Sequence, residues 1–285
     1  MTGPQITFLP DGRLHLNHGP IDLVIMAEGP GAQMAFDLAT RRFPTVLEEL
    51  VAELPTLRQA TGTARLAGQI ARRMQAATQP HLPQFITPMA AVAGSVADEV
   101  LEAMKQAPGL TRAAVNNGGD IALYLTDTEQ MSIAISSETG EIWGKINLSG
   151  QDLIKGIATS GRSGRSLSMG VADSVTVLAN TAASADAAAT LIANSCDLPG
   201  HPAISREPAQ DLQPDSDLGT RLVVTECQTL TAADKSGALD RAQTVAQTMV
   251  TKKLIAGACI FLQGEARVSG TADMKPTQDK GYLYA

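Results

Sequence analysis

The 285-residue chain is 44% hydrophobic and 18% charged, which fits a folded protein with a full core and excludes a disordered polyelectrolyte. Its formal net charge of −7, with no basic patch interleaved with aromatics, gives no footing for nucleic acid or an anionic membrane surface. Three scattered cysteines and four scattered histidines exclude a disulfide framework and a structural zinc site.

The N-terminus lacks the basic start and apolar stretch of a signal peptide, and the longest apolar runs, such as "LIAGACIFL", are too short to span a bilayer. A cytoplasmic protein without a membrane partner is the expectation. Aromatics make up only 3%, so the core must be built from Ala, Val, Leu, Ile and Met.

In chain order, "QITFL", "LHL" and "IDLVIMA" read as short strands, the first two separated by a Pro-Asp-Gly turn. A helical pattern follows: "VLEELVAEL" should end at Pro55, and "ARLAGQIARRMQAA" should end before Pro80. "QPHLPQFITP" holds three prolines and is expected to be irregular. "AAVAGSVADEVLEAM" is a helix whose small residues let another backbone pack closely, and it should stop at Pro108-Gly109. "DIALYL", "MSIAIS", "EIWGKINL" and "DSVTVLA" are strands, and their period-two alternation argues for antiparallel pairing. "SADAAATLIAN" reads as a helix with Ser184 as its N-cap. Residues 197–220 carry four prolines and are expected to form a long surface loop. "RLVVTEC" is a strand, and Thr231 to Lys253 is a helix with Leu239, Ala242, Ala246 and Met249 on one stripe. "LIAGACIFL" and "EARVSG" close the pattern as a strand pair. Adjacent strands mixed with helices predict an α+β protein, here taken as a single domain over 1–285.

Three segments can carry chemistry. Asn116, Asn117, Gly118, Gly119 and Asp120 form either a plain turn into a strand or a turn that presents backbone N–H groups to a polar ligand. "ATSGRSGRSLSMG", from Ala158 to Gly170, has four serines, one threonine, three glycines and two arginines. That is the composition of a phosphate-holding loop, with Arg162 and Arg165 as partners, and equally that of a solvated loop. Asp186 and Thr190 are four apart, so on a helix they point the same way. A carboxylate and a hydroxyl together suit a hard cation such as Mg²⁺, whereas the plainer reading of Asp186 taken by itself is that it complements the positive start of its helix.

In this order the segments resemble the ApbE superfamily of flavin transferases, which carry a small-residue helix, a "GGDI" turn, an "ATSG" loop, a "VTV" strand and "ADALAT". The resemblance is closer to an uncharacterised prokaryotic branch of that superfamily. Its members have "GPMAAVAG", "ENGGDI", "SGTVGHSLSFGKADAVTV" and "ADAAAT", where this chain has "TPMAAVAG", "NNGGDI", "SGRSGRSLSMGVADSVTV" and "ADAAAT". The matching core runs from about residue 88 to 195.

What the resemblance implies is a T-fold-like α+β architecture, mostly antiparallel sheet packed with helices, that binds FAD together with Mg²⁺. The cation ligands would be Asp186, Thr190 and the backbone carbonyl near Ala93. Asn116, Asn117, Gly118, Gly119, Asp120, Thr159, Ser160, Gly161, Arg165 and Ser166 would line the flavin nucleotide. The reaction implied is transfer of FMN to a threonine of an acceptor protein. Two features depart from the flavin transferases. Their lysine in "AKGY" is absent from Ala93-Gly94-Ser95, and "SLSMGVAD" stands in place of their "HIIDPRTG" segment. Arg165 replaces the histidine of the closer branch. The departures leave open a non-catalytic ligand-binding module, or an enzyme of the same fold acting on another heterocycle.

Overall fold

The computed structural model describes residues 3–136, 142–164, 166–270 and 275–276. The elements in chain order are β1 (Gln5–Phe8), β2 (Leu14–His18), β3 (Ile21–Glu28), α1 (Ala32–Arg42), α2 (Val46–Leu57), α3 (Gln69–Thr78) and α4 (Val92–Met104). They continue with β4 (Arg112–Asn117), β5 (Asp120–Leu125), β6 (Gln130–Ser136), β7 (Ile142–Ser149), β8 (Gly156–Ser160), β9 (Ser174–Ala179) and α5 (Ala182–Ser195). The last are β10 (Ile204–Pro208), α6 (Ala209–Leu212), β11 (Leu222–Cys227), α7 (Ala232–Thr251), β12 (Gly257–Leu262) and β13 (Glu265–Gly270). The protein is α+β, with large antiparallel sheet packed by helices. The described residues fall into two compact units.

The first unit comprises Met1–Met131, Leu148–Ala158 and Ala179–Ala187. Its strands run in the order β1-β2-β3-β4-β5, and β5 pairs in turn with β8, each pair antiparallel. Period-two alternation does the sorting. Leu14, Leu16, Leu23, Ile25, Ala113 and Val115 are buried, whereas His15, Asn17, Asp22 and Val24 remain half-buried. Helix α4 lies on β4 and β5, and α1 lies on β3. Burial of each large aliphatic side chain contributes about 1.5–3 kcal/mol.

The second unit comprises Ser132–Asn147, Thr159–Leu178 and Ala188–Ala285. Strand β12 is buried along its whole length between β9 and β13, both antiparallel to it. Helix α7 covers β12 and β13 with the stripe Leu239, Ala242, Ala246 and Met249. Strands β10 and β11 form a separate antiparallel pair.

Several boundaries differ from the sequence expectation, each for a physical reason. Pro55 lies inside α2 rather than ending it. Leu57 is fully buried and anchors the last turn, while the carbonyl that Pro55 leaves without a donor belongs to exposed Val51. Helix α3 starts at Gln69 and not at Ala64, because the Glu53 carboxylate takes the N–H groups of Ala67 and Gly68, both at 2.7 Å. Helix α4 ends at Met104, and Gln106 and Ala107 continue only as a tighter turn before Pro108. The N-terminal hydroxyl at α5 is that of Thr181, not Ser184: Thr181 Oγ1 accepts the Ser184 N–H at 3.1 Å. The expected loop over 197–220 contains β10 and α6 and is therefore not structureless.

Candidate functional site

The "NNGGDI" segment is a two-residue β-hairpin. Asn117 and Asp120 are directly opposed, and Gly118 and Gly119 between them have φ of 66° and 110°. Positive φ at both central positions is what such a turn demands, so local geometry alone accounts for the two glycines. Asn116 closes the turn by accepting the Gly119 N–H on its Oδ1 at 2.8 Å. Gly118 is exposed, and Asp120 is buried at the start of β5.

Asn117 faces the helix side of the sheet and is only 9% exposed. Its Nδ2 donates to the Ala93 carbonyl at 3.1 Å, and its Oδ1 accepts from the Asp22 N–H at 3.4 Å. The hairpin is thereby tied to the first turn of α4. No side chain of the adjacent sequence caps that turn. Asp186, from α5, does so instead: its carboxylate accepts the N–H groups of Gly94, at 3.0 Å, and of Ala93.

Asp98 performs the reverse function. It sits within α4, is 9% exposed, and accepts the N–H groups of Ala182 and Ala183 at 3.1 and 3.0 Å, where α5 begins. Sequence reasoning missed Asp98; the available signal was an acidic residue on the otherwise small and apolar face of α4. The close approach expected of the small-residue helix occurs at Gly94, and Gly156, which sequence reasoning missed, also lets the start of α5 approach. A Cβ on Gly94 would stand 2.3 Å from the Ala182 carbonyl oxygen, and one on Gly156 would stand 2.1 Å from the Ala182 nitrogen.

Electrostatics follow from this packing. Burial pushes the Asp186 carboxyl up to about 7, against the opposing pull of the Gly94 and Ala93 N–H groups, and the nearby Asp98 carboxylate raises it further. Burial likewise raises Asp98, which the Ala183 and Ala182 N–H groups and the charge of Arg73 oppose. The Asp186 carboxylate offers oxygen to a hard cation, but it accepts the Gly94 N–H, which belongs to the same trans peptide as the Ala93 carbonyl and points away from it, so the Ala93 oxygen does not converge on the carboxylate. Among the described residues no three His, Cys, Asp or Glu side chains gather as a metal cluster. The remaining shell of a Mg²⁺ ion would come from hydroxyl, water or ligand oxygens, as is usual for that ion. Thr190 follows Asp186 by one turn of α5 and is half-buried.

Within the second unit, Thr159 is exposed, and its hydroxyl lies 3.1 Å from that of buried Thr176. Ser160 is half-buried and Ser166 exposed. Gly161 is held against backbone: a Cβ there would meet the Asp173 carbonyl oxygen at 2.4 Å. Arg162 does not stand free for phosphate, because its guanidinium holds Asp173, with Nη2 at 2.6 Å and Nε at 3.0 Å. Arg165 lies outside the described residues. No helix among the described residues is long and apolar enough to cross a membrane.

A helix-packed antiparallel sheet with a GGD hairpin and the ADAAAT helix start defines an ApbE-type protein. The chain belongs to the family described as AbpE bacteria, whose model matches residues 6–268, and so to the ApbE superfamily. It is 38% identical over 173 residues to a UPF0280 protein of Methanosphaerula palustris, covering 53% of this chain and 72% of that protein. It is 31% identical over 176 residues to UPF0280 protein MK0206 of Methanopyrus kandleri, covering 61% and 69%. These archaeal relatives correspond to the second branch seen in the motifs. The fold is similar to that of the flavin transferase ApbE from Vibrio cholerae, with a TM-score of 0.50 and 13% identity over 93% of this chain and 97% of the other.

Proposed function

We propose that the chain binds FAD with Mg²⁺ in one ApbE-type domain of a cytoplasmic protein. The observation that carries this reading is the Asp186 carboxylate, desolvated and beside Asp98, at the start of α4. A divalent cation there relieves the cost of keeping Asp186 ionised. Asp186 and Thr190 would hold Mg²⁺ together with water and ligand oxygens, and the metal when bound would neutralise the pyrophosphate and polarise a phosphoryl oxygen.

The chain's own groups serve binding. The hairpin from Asn116 to Asp120 gives a ligand access to backbone at Gly118 and Gly119, and Thr159, Ser160, Gly161, Arg165 and Ser166 supply hydroxyl, amide and guanidinium donors. Membership of the ApbE superfamily supports a flavin ligand and, in the catalytic members, an acceptor protein. Two departures from the flavin transferases, the missing lysine at Ala93-Gly94-Ser95 and the missing histidine segment, favour retained binding over retained transfer.

Calorimetry with FAD, with and without Mg²⁺, tests the binding: Mg²⁺-dependent affinity is expected, lost in Asp186→Ala. Absence of binding under both conditions overturns it. Incubation with FAD and a threonine-bearing acceptor peptide, read by mass spectrometry, decides the chemistry. A gain of one FMN shows a divergent transferase, and an unmodified peptide shows a binding module. Tight binding of another heterocycle without flavin affinity would move the ligand class.

A further inference from the structure

We infer that the loop between α2 and α3 is a second ligand site, one that takes the phosphate group of a small molecule. The sequence isolates positive charge there. Residues 54–97 carry four arginines and neither Asp nor Glu, in a chain with 29 acidic and 22 basic residues. Arg73 is neutralised by Glu99 at 2.7 Å, and Arg58 also has a partner. The guanidinium groups of Arg65 and Arg72 make no ion pair or hydrogen bond with any described residue, and both side chains are exposed.

These two arginines share an open groove of about 470 Å³ with Thr63, Gln75 and Gln79. Helical spacing builds one wall, since Arg72, Gln75 and Gln79 are three and four apart along α3 and its C-cap. The loop builds the other. Thr61 anchors it, with its N–H on the Ile86 carbonyl at 2.8 Å and its hydroxyl on that of Thr78 at 2.9 Å, and Leu66 is buried. Between these anchors, Gln75 Nε2 donates to the Gly62 and Ala64 carbonyls at 3.0 and 2.8 Å. Such bracing fills acceptors and leaves donors. No N–H from Gly62 to Leu66 meets an acceptor among the described residues, and all five residues line the groove. The adjacent Glu53 carboxylate is occupied by the Ala67 and Gly68 N–H groups.

Unpaired guanidinium and amide donors beside filled carbonyls suit an oxyanion, and the arginine fork matches phosphate. Among the described residues no aromatic ring lines the groove, so the phosphate is recognised and not a stacked base. None of these residues belongs to the proposed flavin and cation set.

The test is calorimetric titration of the full chain in EDTA, with inorganic phosphate and with AMP as probes. Wild type should bind, with an affinity that falls as salt is raised. Arg65→Gln and Arg72→Gln should each weaken binding about tenfold or more, and the double variant should abolish it. Arg72→Lys, which keeps the charge and loses the fork, should fall between. Melting temperatures should stay at the wild-type value, because both side chains are exposed. Equal affinity for the two probes identifies a bare anion as the ligand, and tighter AMP binding a phosphate ester; each supports the inference. Mg²⁺-dependent FAD affinity should be unchanged in the double variant, and the phosphate titrations decide the matter whether or not FAD binds. Absence of binding of both probes, or equal binding by wild type and the double variant, overturns the inference. Loss of FAD affinity in the double variant also overturns it, by making the groove part of the flavin site.

Discussion

Asp98 and Asp186 each cap the helix that carries the other. Asp98, from α4, takes the first N–H groups of α5, and Asp186, from α5, takes those of α4. Helix N-termini carry partial positive charge and unpaired N–H groups, so each carboxylate is placed where charge and donor count favour it. Asp98→Ala should leave the Ala182 and Ala183 N–H groups without an acceptor and lower stability by roughly 2 kcal/mol. Asp98→Asn, which keeps one carbonyl oxygen, should lose less. Chemical denaturation of the two variants beside wild type measures both.

Gly94 should tolerate no side chain. Its absent Cβ is matched by backbone and not by a movable side chain, with the Ala182 oxygen at 2.3 Å and the Ala183 nitrogen at 2.8 Å. Gly94→Ala should destabilise by about 3 kcal/mol or more, and it should also shift Asp186 off the α4 start. A melting curve reads the first effect and Mg²⁺-dependent FAD affinity the second. A variant as stable as wild type would show that the two helices can separate freely.

Stability in EDTA should fall as pH rises from the ordinary aspartate value near 3.8 towards about 7 because of Asp186. The sign follows from proton counting: between those values the folded state holds a proton that the unfolded state has released. The contribution is therefore present below 3.8 and lost as pH climbs through the folded value. Asp98 is raised by burial as well and adds in the same direction. Denaturation midpoints across this pH range should show a shallower decline in Asp186→Asn. A Mg²⁺ ion held by Asp186, as proposed, would displace the proton, so its affinity should increase through the same window. An equally steep decline in the variant would assign the effect to other groups.

Arg162→Ala should loosen the segment around residues 161–173. The arginine holds Asp173 by two hydrogen bonds, and the carboxylate is otherwise bound by the Gln263 N–H. Faster hydrogen exchange in that segment, with FAD affinity changed less than about tenfold, is the expected pair of results. A large loss of affinity with unchanged exchange would instead make Arg162 a ligand-binding group.

Strands and most helices were legible because periodicity is local. The alternation in β2 and β3 and the α7 stripe needed only a few residues of context. Helix starts were less legible where the cap comes from elsewhere. Glu53, Asp98 and Asp186 all serve N–H groups far along the chain, so no neighbouring Ser, Thr or Asp announces α3 or α4. The motifs of the proposed site were visible, because glycine turns and an Asp/Thr pair have short-range signatures. Its wiring was not: the contact of Asn117 with Ala93 depends on the sheet bringing a hairpin end under a helix.

The first compact unit closes only at Ala187, although it begins at the N-terminus. The contacts at the starts of α4 and α5 span 84 to 92 residues of sequence, and the start of α5 sits against both Gly94 and Gly156. During vectorial synthesis α4 must therefore leave the ribosome without Asp186 and wait for it. Long-range closure of this kind is slow relative to local helix formation. An N-terminal fragment that stops before Thr181 lacks the closing segment altogether. The Asp186 carboxylate is thus among the last pieces of its unit to be delivered, so the cap of α4 and completion of that unit arrive together.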